Sequence, residues 1–297
     1  MIGRLLCMTG ALVLLGFHRQ AYTYGDDLGD LEITYGGGGM SGTNTEHPTF
    51  SLAGNPVVIK KNSQGVWIYS RKISGTLDQD PAGLATLRSA DGVGDFRIVM
   101  DSNVAAAYAK KHQLAAPIGE YLSQLTSTQA SIRSSGERYV ITFPEAFHLV
   151  DYHSSATKTA ARRKDESDAT GDKGTFTVMP KATAQQGKPL NYDVQTGSIV
   201  GNVHYHLIET VTPLGGGLPE TTNYDVQSDR LDVDFTKPEG TIVLSGNVRW
   251  NRKSKQSVHG TCDKFTVTTN QNHEMTGWTS EGATPPETVF ETPGGKP

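Results

Sequence analysis

The chain is poor in what usually staples or charges a protein. Its 297 residues include two cysteines, Cys7 and Cys262. If Cys7 leaves with a leader, Cys262 is alone and no intramolecular disulfide exists, so the sheet and core must hold the fold. Positive charge is not in excess either. The chain has 27 basic and 31 acidic residues and a formal charge of −4, which lacks the electrostatic footprint of a nucleic-acid binder. There is one long apolar run, Leu5 to Phe17, and it is shorter than the roughly 20 residues of a membrane-spanning helix. No nucleophile elbow, His-Glu-x-x-His, Walker motif or Rossmann fingerprint with its strand-to-helix context appears. No enzyme is expected, and no catalytic residue, cofactor or metal.

The apolar run sits behind Met1-Ile2-Gly3-Arg4 and ahead of His18-Arg19-Gln20-Ala21. A basic segment followed by 13 apolar residues reads as a secretory signal, or as an anchor formed by residues 5–17 if it is not cut. Cleavage after Ala21 removes Arg4 and Arg19 and no acid, taking the net charge from −4 to −6. Export from the cytoplasm is therefore expected.

What the chain does have is glycine (33 residues) and short alternating segments. Two stretches nearly repeat: Ser198-Ile199-Val200-Gly201-Asn202-Val203-His204-Tyr205 and Leu244-Ser245-Gly246-Asn247-Val248-Arg249-Trp250. A degenerate third copy, Leu52-Ala53-Gly54-Asn55-Pro56-Val57, carries a proline that suggests an edge or a bulge. The pentapeptide Asn-Tyr-Asp-Val-Gln occurs at 191–195 and again at 223–227. Such repetition implies one strand unit, bent at glycine, used several times. The spacing predicts an all-β fold: a rolled antiparallel sheet with one apolar face inward.

Six segments follow: a leader or anchor (1–21), a Gly-rich lead-in (22–48) with one strand at Leu31 to Tyr35, an N-terminal β region (49–100), a helical insertion (101–130), a C-terminal β region (131–282) and a disordered tail (283–297). The insertion rests on Ala105 to Lys111 and on helical spacing of Tyr108, Leu114, Ile118, Tyr121, Leu122 and Leu125. It predicts a short helical element around 101–126 that plugs the roll or covers an edge. The mixed-charge run around Arg162-Arg163-Lys164-Asp165-Glu166 reads as a surface loop between His153 and Gly174.

Strict alternation assigns faces in the C-terminal region. Ile199, Val203, Tyr205 and Leu207 share one face. Leu231, Val233 and Phe235, then Ile242, Leu244, Val248 and Trp250, then Phe265 and Val267, continue it. These thirteen residues are the candidate lining of a lipid groove. Asn202, His204 and His206 face the other way. His204-x-His206 has a spacing that can bind metal, but no third ligand is placed by sequence, although His259 and His273 lie further on. Asp232 and Asp234 lie together on the polar face, where a carboxylate pair can serve glycoside hydrolysis and solvated acids are the simpler reading. Cys262 reads as a thiol tucked against a strand.

The order from Asn223-Tyr224-Asp225-Val226-Gln227 through Leu231-Asp232-Val233-Asp234-Phe235 and Gly240 to Val248, ending at Val258 to Val267, resembles a known family. It is similar to the periplasmic lipopolysaccharide-transport superfamily, the organic-solvent-tolerance A-like domain, with its LptA-like bridge and LptC-like anchored members. The likeness covers roughly 190–280 well and 31–100 loosely. The resemblance implies an open antiparallel β-jellyroll whose interior carries acyl chains of a lipid or glycolipid. It also implies edge-strand pairing with other jellyroll proteins of an envelope transport system. A groove of this kind needs a dry, continuous apolar face, because exposing lipid costs about 25 cal/mol per Å². The competing expectation is a structural or adhesive β-rich surface protein whose interior is a filled core without ligand.

Overall fold

The structure is a computed structural model and describes residues 22–24, 31–35, 39–43, 47–62, 65–79, 85–113, 119–135, 138–155, 160–180, 192–215, 217–255, 257–270, 275–282 and 287–291. The leader, including Cys7, lies outside these residues. So do Leu114 to Ile118, Lys181 to Pro189, and 283–286 and 292–297 of the tail.

The fold is all-β. In chain order the elements are β1 (Tyr22–Tyr24), β2 (Leu31–Tyr35), β3 (Met40–Thr43), β4 (Thr49–Lys61), β5 (Val66–Gln79), β6 (Ala85–Asp101), α1 (Ser102–Lys111), β7 (Glu120–Ser135), β8 (Arg138–Phe143), β9 (Phe147–Ser155), β10 (Ala160–Gly171) and β11 (Lys173–Pro180). Then come β12 (Tyr192–Pro213), β13 (Glu220–Asp234), β14 (Gly240–Lys253), β15 (Ser257–Thr269), β16 (Met275–Glu281) and β17 (Glu287–Glu291). No helix among the described residues is long and apolar enough to cross a membrane.

The chain forms two compact units. The first comprises residues 1–118, 122–145 and 175–194. Its strands pair antiparallel, largely with their sequence neighbours: β1 with β2, β2 and β3 with β4, then β4 through β8 in order. Leu52, Ile59, Ile68, Phe96, Ile132 and Phe143 are among its buried side chains. A cavity of about 10 Å³, bounded by Ile68, Ile73, Phe96 and Ile132 among others, is room for about one water molecule.

The second unit comprises residues 119–121, 146–174 and 195–297. Here β9, β10, β12, β13, β14, β15 and β16 pair antiparallel in that order, and β17 pairs with β15 beside β16.

Strands of 13 to 22 residues are too long for a small sheet to keep straight. The repeated Gly-Asn dipeptide is where they turn. Register breaks occur between Val200 and Val203 on β12, Gln227 and Arg230 on β13, and Ser245 and Val248 on β14, so neighbouring bulges line up as a crease. Gly201 and Asn202 have φ of 78° and 47°, and Gly246 and Asn247 have 74° and 49°. That left-handed region suits glycine and, after it, asparagine. Each Asn is held from the preceding strand segment: Asn202 Nδ2 donates to Asp172 Oδ2 and Asn247 Nδ2 to Asp229 Oδ2, both at 2.8 Å. The first unit has the same device in other letters. Gly94 and Asp95 (φ 82° and 51°) face Arg71, whose Nε donates to Asp95 Oδ2 at 2.7 Å. Bulges leave backbone carbonyls without ladder partners. Buried serines meet them: Ser70 Oγ lies 2.9 Å from Lys72 O and from Val93 O, and Ser228 Oγ lies 3.0 Å from Arg230 O.

A helix does interrupt the strands after residue 101, but it is shorter than the sequence pattern suggested. Asp101 caps it, its Oδ1 accepting from Asn103 N at 2.8 Å, and α1 ends at Lys111. Tyr121, Leu122 and Leu125 belong to β7, where ladder pairing of Ser123 with Met100 and Leu125 with Ile98 replaces the expected second helical stretch. The charged run at 162–166 is likewise strand: β10 is paired on both sides, to β9 and β12. Part of the tail is ordered as β17. The lead-in holds the expected strand as β2, and also β1 and β3. Pro56 sits at a bulge of β4, between Ala53 and Val57, with a cis Asn55–Pro56 bond.

A Cβ on Gly246 would stand 2.5 Å from Asp229 Oδ2 at positive φ, whereas one on Gly277 would meet nothing within 4 Å. Gly246→Ala therefore lowers unfolding free energy by about 1–3 kcal/mol, and Gly277→Ala changes it by under about 0.5 kcal/mol. Urea titration of both variants checks the corner directly.

Candidate functional site

In the second unit the thirteen sequence-derived groove residues fall on one face, in cross-strand rows. Ile199, Leu231, Leu244 and Phe265 form one row across β12 to β15. Val233, Ile242 and Val267 form the next, continued by Trp278 on β16, with Phe235 just beyond β13. Across the crease lie Val203, then Val248, then the row Tyr205, Val226 and Trp250, with Leu207 one row further.

The crease folds this face onto itself. Trp250 lies six residues beyond Leu244, the ladder partner of Phe265, a separation of about 20 Å in a flat strand. Yet the Trp250 and Phe265 ring centroids are 5.4 Å apart. Trp278 completes the group at 5.8 Å from Trp250 and stacks on Phe265 at 5.5 Å and 19°. Two limbs of the same strands thus meet through three aromatic rings.

Burial along the face is graded. Ile199, Val203, Leu231, Val233, Leu244 and Val248 are 1–5% exposed. Phe235, Ile242, Trp250, Phe265 and Val267 are half-buried, and Trp278 is 46% exposed. The apolar face is closed around β12 and β13 and reaches solvent at β15 and β16. Trp278 was missed by the sequence reading. Its signal was the alternation of Thr276, Trp278 and Ser280 against Met275, Gly277 and Thr279, too short and too mixed to assign a face.

Toward β9 and β10 the same face turns polar. Asp165 and Asp151 are 6% and 8% exposed, and register places Asp165 opposite Glu209 and Asp151 opposite Ser167. Arg163 joins the acids, Nε to Asp165 Oδ1 at 3.2 Å and Nη2 to Glu209 Oε1 at 2.7 Å. Burial, reinforced by Asp151 and Asp165, pushes the Tyr205 phenol far above its ordinary value, against a hydrogen bond with Ser167. The stripe containing Tyr205 and Leu207 is therefore flanked by buried charge, which period-2 reading of β12 alone did not reveal.

On the opposite face His204 Nε2 and His206 Nδ1 approach one carboxylate oxygen, Asp225 Oδ2, at 3.0 and 3.5 Å, and His148 Nε2 meets Asp168 Oδ2 at 2.8 Å. All five side chains are 37–47% exposed. No group of three or more His, Cys, Asp or Glu among the described residues is arranged to hold a metal; His273 lies outside them. Asp232 is gripped by Arg230 Nε and Nη2 at 2.6 and 2.8 Å. Burial raises the Asp232 carboxyl, but hydrogen bonds from Arg230 and Ser198 outweigh it and hold it below the usual range. Asp234 is lowered by the Thr236 hydroxyl and backbone N–H. Two lowered carboxyls do not make the acid and base of a glycosidase, which needs one raised. Burial first, with Asp263, pushes the Cys262 thiol up against a hydrogen bond from Lys264 N, so it is a protonated thiol at neutral pH.

No protein-family model matches the chain, and no curated protein and no solved structure matches it.

Two outcomes follow from these contacts. Arg163→Met strands two acids and lowers unfolding free energy by about 2–3 kcal/mol, less than a fully buried pair because Arg163 is a third exposed; chemical denaturation at neutral pH measures it. Arg230→Ala raises the Asp232 pKa toward that of a free aspartate, read by NMR titration of the carboxyl. In the intact protein this depressed carboxyl contributes stability above the unfolded-state value of about 4, and the contribution is lost as pH falls through the lower folded value.

Proposed function

We propose that this is an exported amphiphile-binding protein of the cell envelope, which holds acyl chains of a lipid or glycolipid against the inner apolar face of β12 to β16. The observation that carries the reading is the graded face. Its buried rows run without a polar break from Ile199 and Val233 to Phe265 and Val267, and end in the half-open aromatic group Trp250, Phe265 and Trp278. An acyl chain laid there is worth about 0.8 kcal/mol per methylene removed from water, and no catalytic group is required. The folded-over limbs supply the concave wall that a flat sheet lacks. The likeness of the Gly-Asn strands to lipopolysaccharide-transport jellyrolls points to the same ligand class, with edge pairing to other jellyroll proteins of a transport system as the accompanying assembly.

The second reading is a structural or adhesive protein with a filled core. It is favoured by the 1–5% exposure of the central rows.

Native mass spectrometry of the full chain, purified from its membrane fraction without detergent exchange, separates the two. A co-purifying amphiphile, with photo-crosslinks to it from probes at Trp250 and Trp278 and none from a probe at His204, is the expected result. A bare protein mass, and no lipid adduct from any inward position, would leave the filled-core reading standing alone.

A further inference from the structure

Two arginines of the described strands share the inner face of the second unit, Arg163 on β10 and Arg252 on β14. Register places Arg252 in the row Leu207, Tyr224, Arg252 and Val258, next to the row Tyr205, Val226, Trp250 and Gly260. The two arginines differ in what they hold. Arg163 is divided between Asp165 and Glu209. Arg252 has no carboxylate partner among the described residues, and its guanidinium lies over the Tyr224 ring, 5.9 Å from the centroid. The acids in the rows at this end of the face are committed elsewhere, Glu209 to Arg163 and Glu220 to Lys255. β17 extends the rows of Arg252 and Trp250 with Phe290 and Thr288, so its acids Glu287 and Glu291 belong to other rows. Tyr224 and Trp250 are half-buried while Arg252 is exposed. A guanidinium thus stands at the wet rim of an aromatic-lined apolar face. Its ring contact uses no N–H donor.

We propose that Arg252 binds the headgroup of the amphiphile, and that this headgroup is an oxyanion, a carboxylate or a phosphate monoester. A guanidinium matches either group with two parallel hydrogen bonds. A neutral headgroup leaves that fork unused, and an ammonium is repelled by it. Arg163 cannot take this role, because its donors are spent on two acids. The inference rests on the acyl-chain reading and adds the sign of the ligand and its direction: head at Arg252, chain past Trp250 toward Phe265.

Tryptophan-fluorescence titration of the full chain, stripped of bound amphiphile, tests this with a series sharing one hydrocarbon tail. Oleate, oleoyl lysophosphatidate, oleyl alcohol and oleylamine are compared at mildly alkaline pH, below their micelle-forming concentrations. At least one of the two anions is expected to bind about ten-fold more tightly than the alcohol and the amine. Which anion it is separates carboxylate from phosphate. Arg252→Gln, with unchanged circular dichroism, is expected to bring that anion down to the affinity of the alcohol. Arg249→Gln, one residue from Trp250 on the opposite face, is expected to keep the preference. Equal binding across the series, a preference for the amine, or a folded Arg252→Gln that still prefers the anion overturns this inference and leaves the acyl-chain reading standing. Binding of no member of the series overturns both.

Discussion

The long strands of this protein can bury one face only because they turn in the middle. Each turn is a pair of left-handed residues inserted into a strand, Gly201-Asn202 or Gly246-Asn247, braced by an aspartate from the neighbouring segment. Backbone strain at the asparagine is offset by the hydrogen bond its side-chain amide donates to that aspartate, and buried Ser228 meets a carbonyl freed by the bulge. Because the bulges of β12, β13 and β14 are in register, one local irregularity becomes a crease across three strands. Without it, Trp250 and Phe265 would lie far apart on an exposed sheet. With it, they close on each other.

Everything the second unit presents follows from that crease and from how its inner face is composed. The central rows pack on one another and stay dry. Toward β16 the packing thins, and the exposed ring is an aromatic one, which tolerates both water and hydrocarbon. Toward β9 and β10 the face changes character, with Arg163 shared by Asp165 and Glu209. Burying these charges is costly unless they are satisfied together, so this side acts as a fixed polar border. An apolar guest would thus be bounded by ions on one side and reach solvent at the aromatic side. The opposite face is a surface of His–Asp pairs, each exposed enough that water screens it.

The fold class was legible because alternation and the Gly-Asn repeat are local signals. Leu231, Leu244 and Phe265 could be placed on the apolar face from period 2 before any partner strand was known. Where reading failed, a non-local partner had overridden local preference. Leu122 and Leu125 have helical spacing but pair with β6. Arg162 to Glu166 looks like a solvated loop, yet its charges are accommodated by β9 and β12 on either side. Trp278 sits in too short a strand to show a pattern, and its importance comes from rings contributed by β14 and β15.

By itself, then, the sequence determined which residues alternate, where glycine lets a strand turn, and that one face of the C-terminal strands is apolar. These follow from the two-residue repeat of a strand and from the φ values open to Gly and Asn. Only the tertiary structure decided that the turns align, that Trp250 crosses to Phe265 and Trp278, and that the apolar face stops at buried Asp151 and Asp165. Register, closure and charge pairing depend on residues far apart in the chain, and no local pattern encodes which strand will lie beside which.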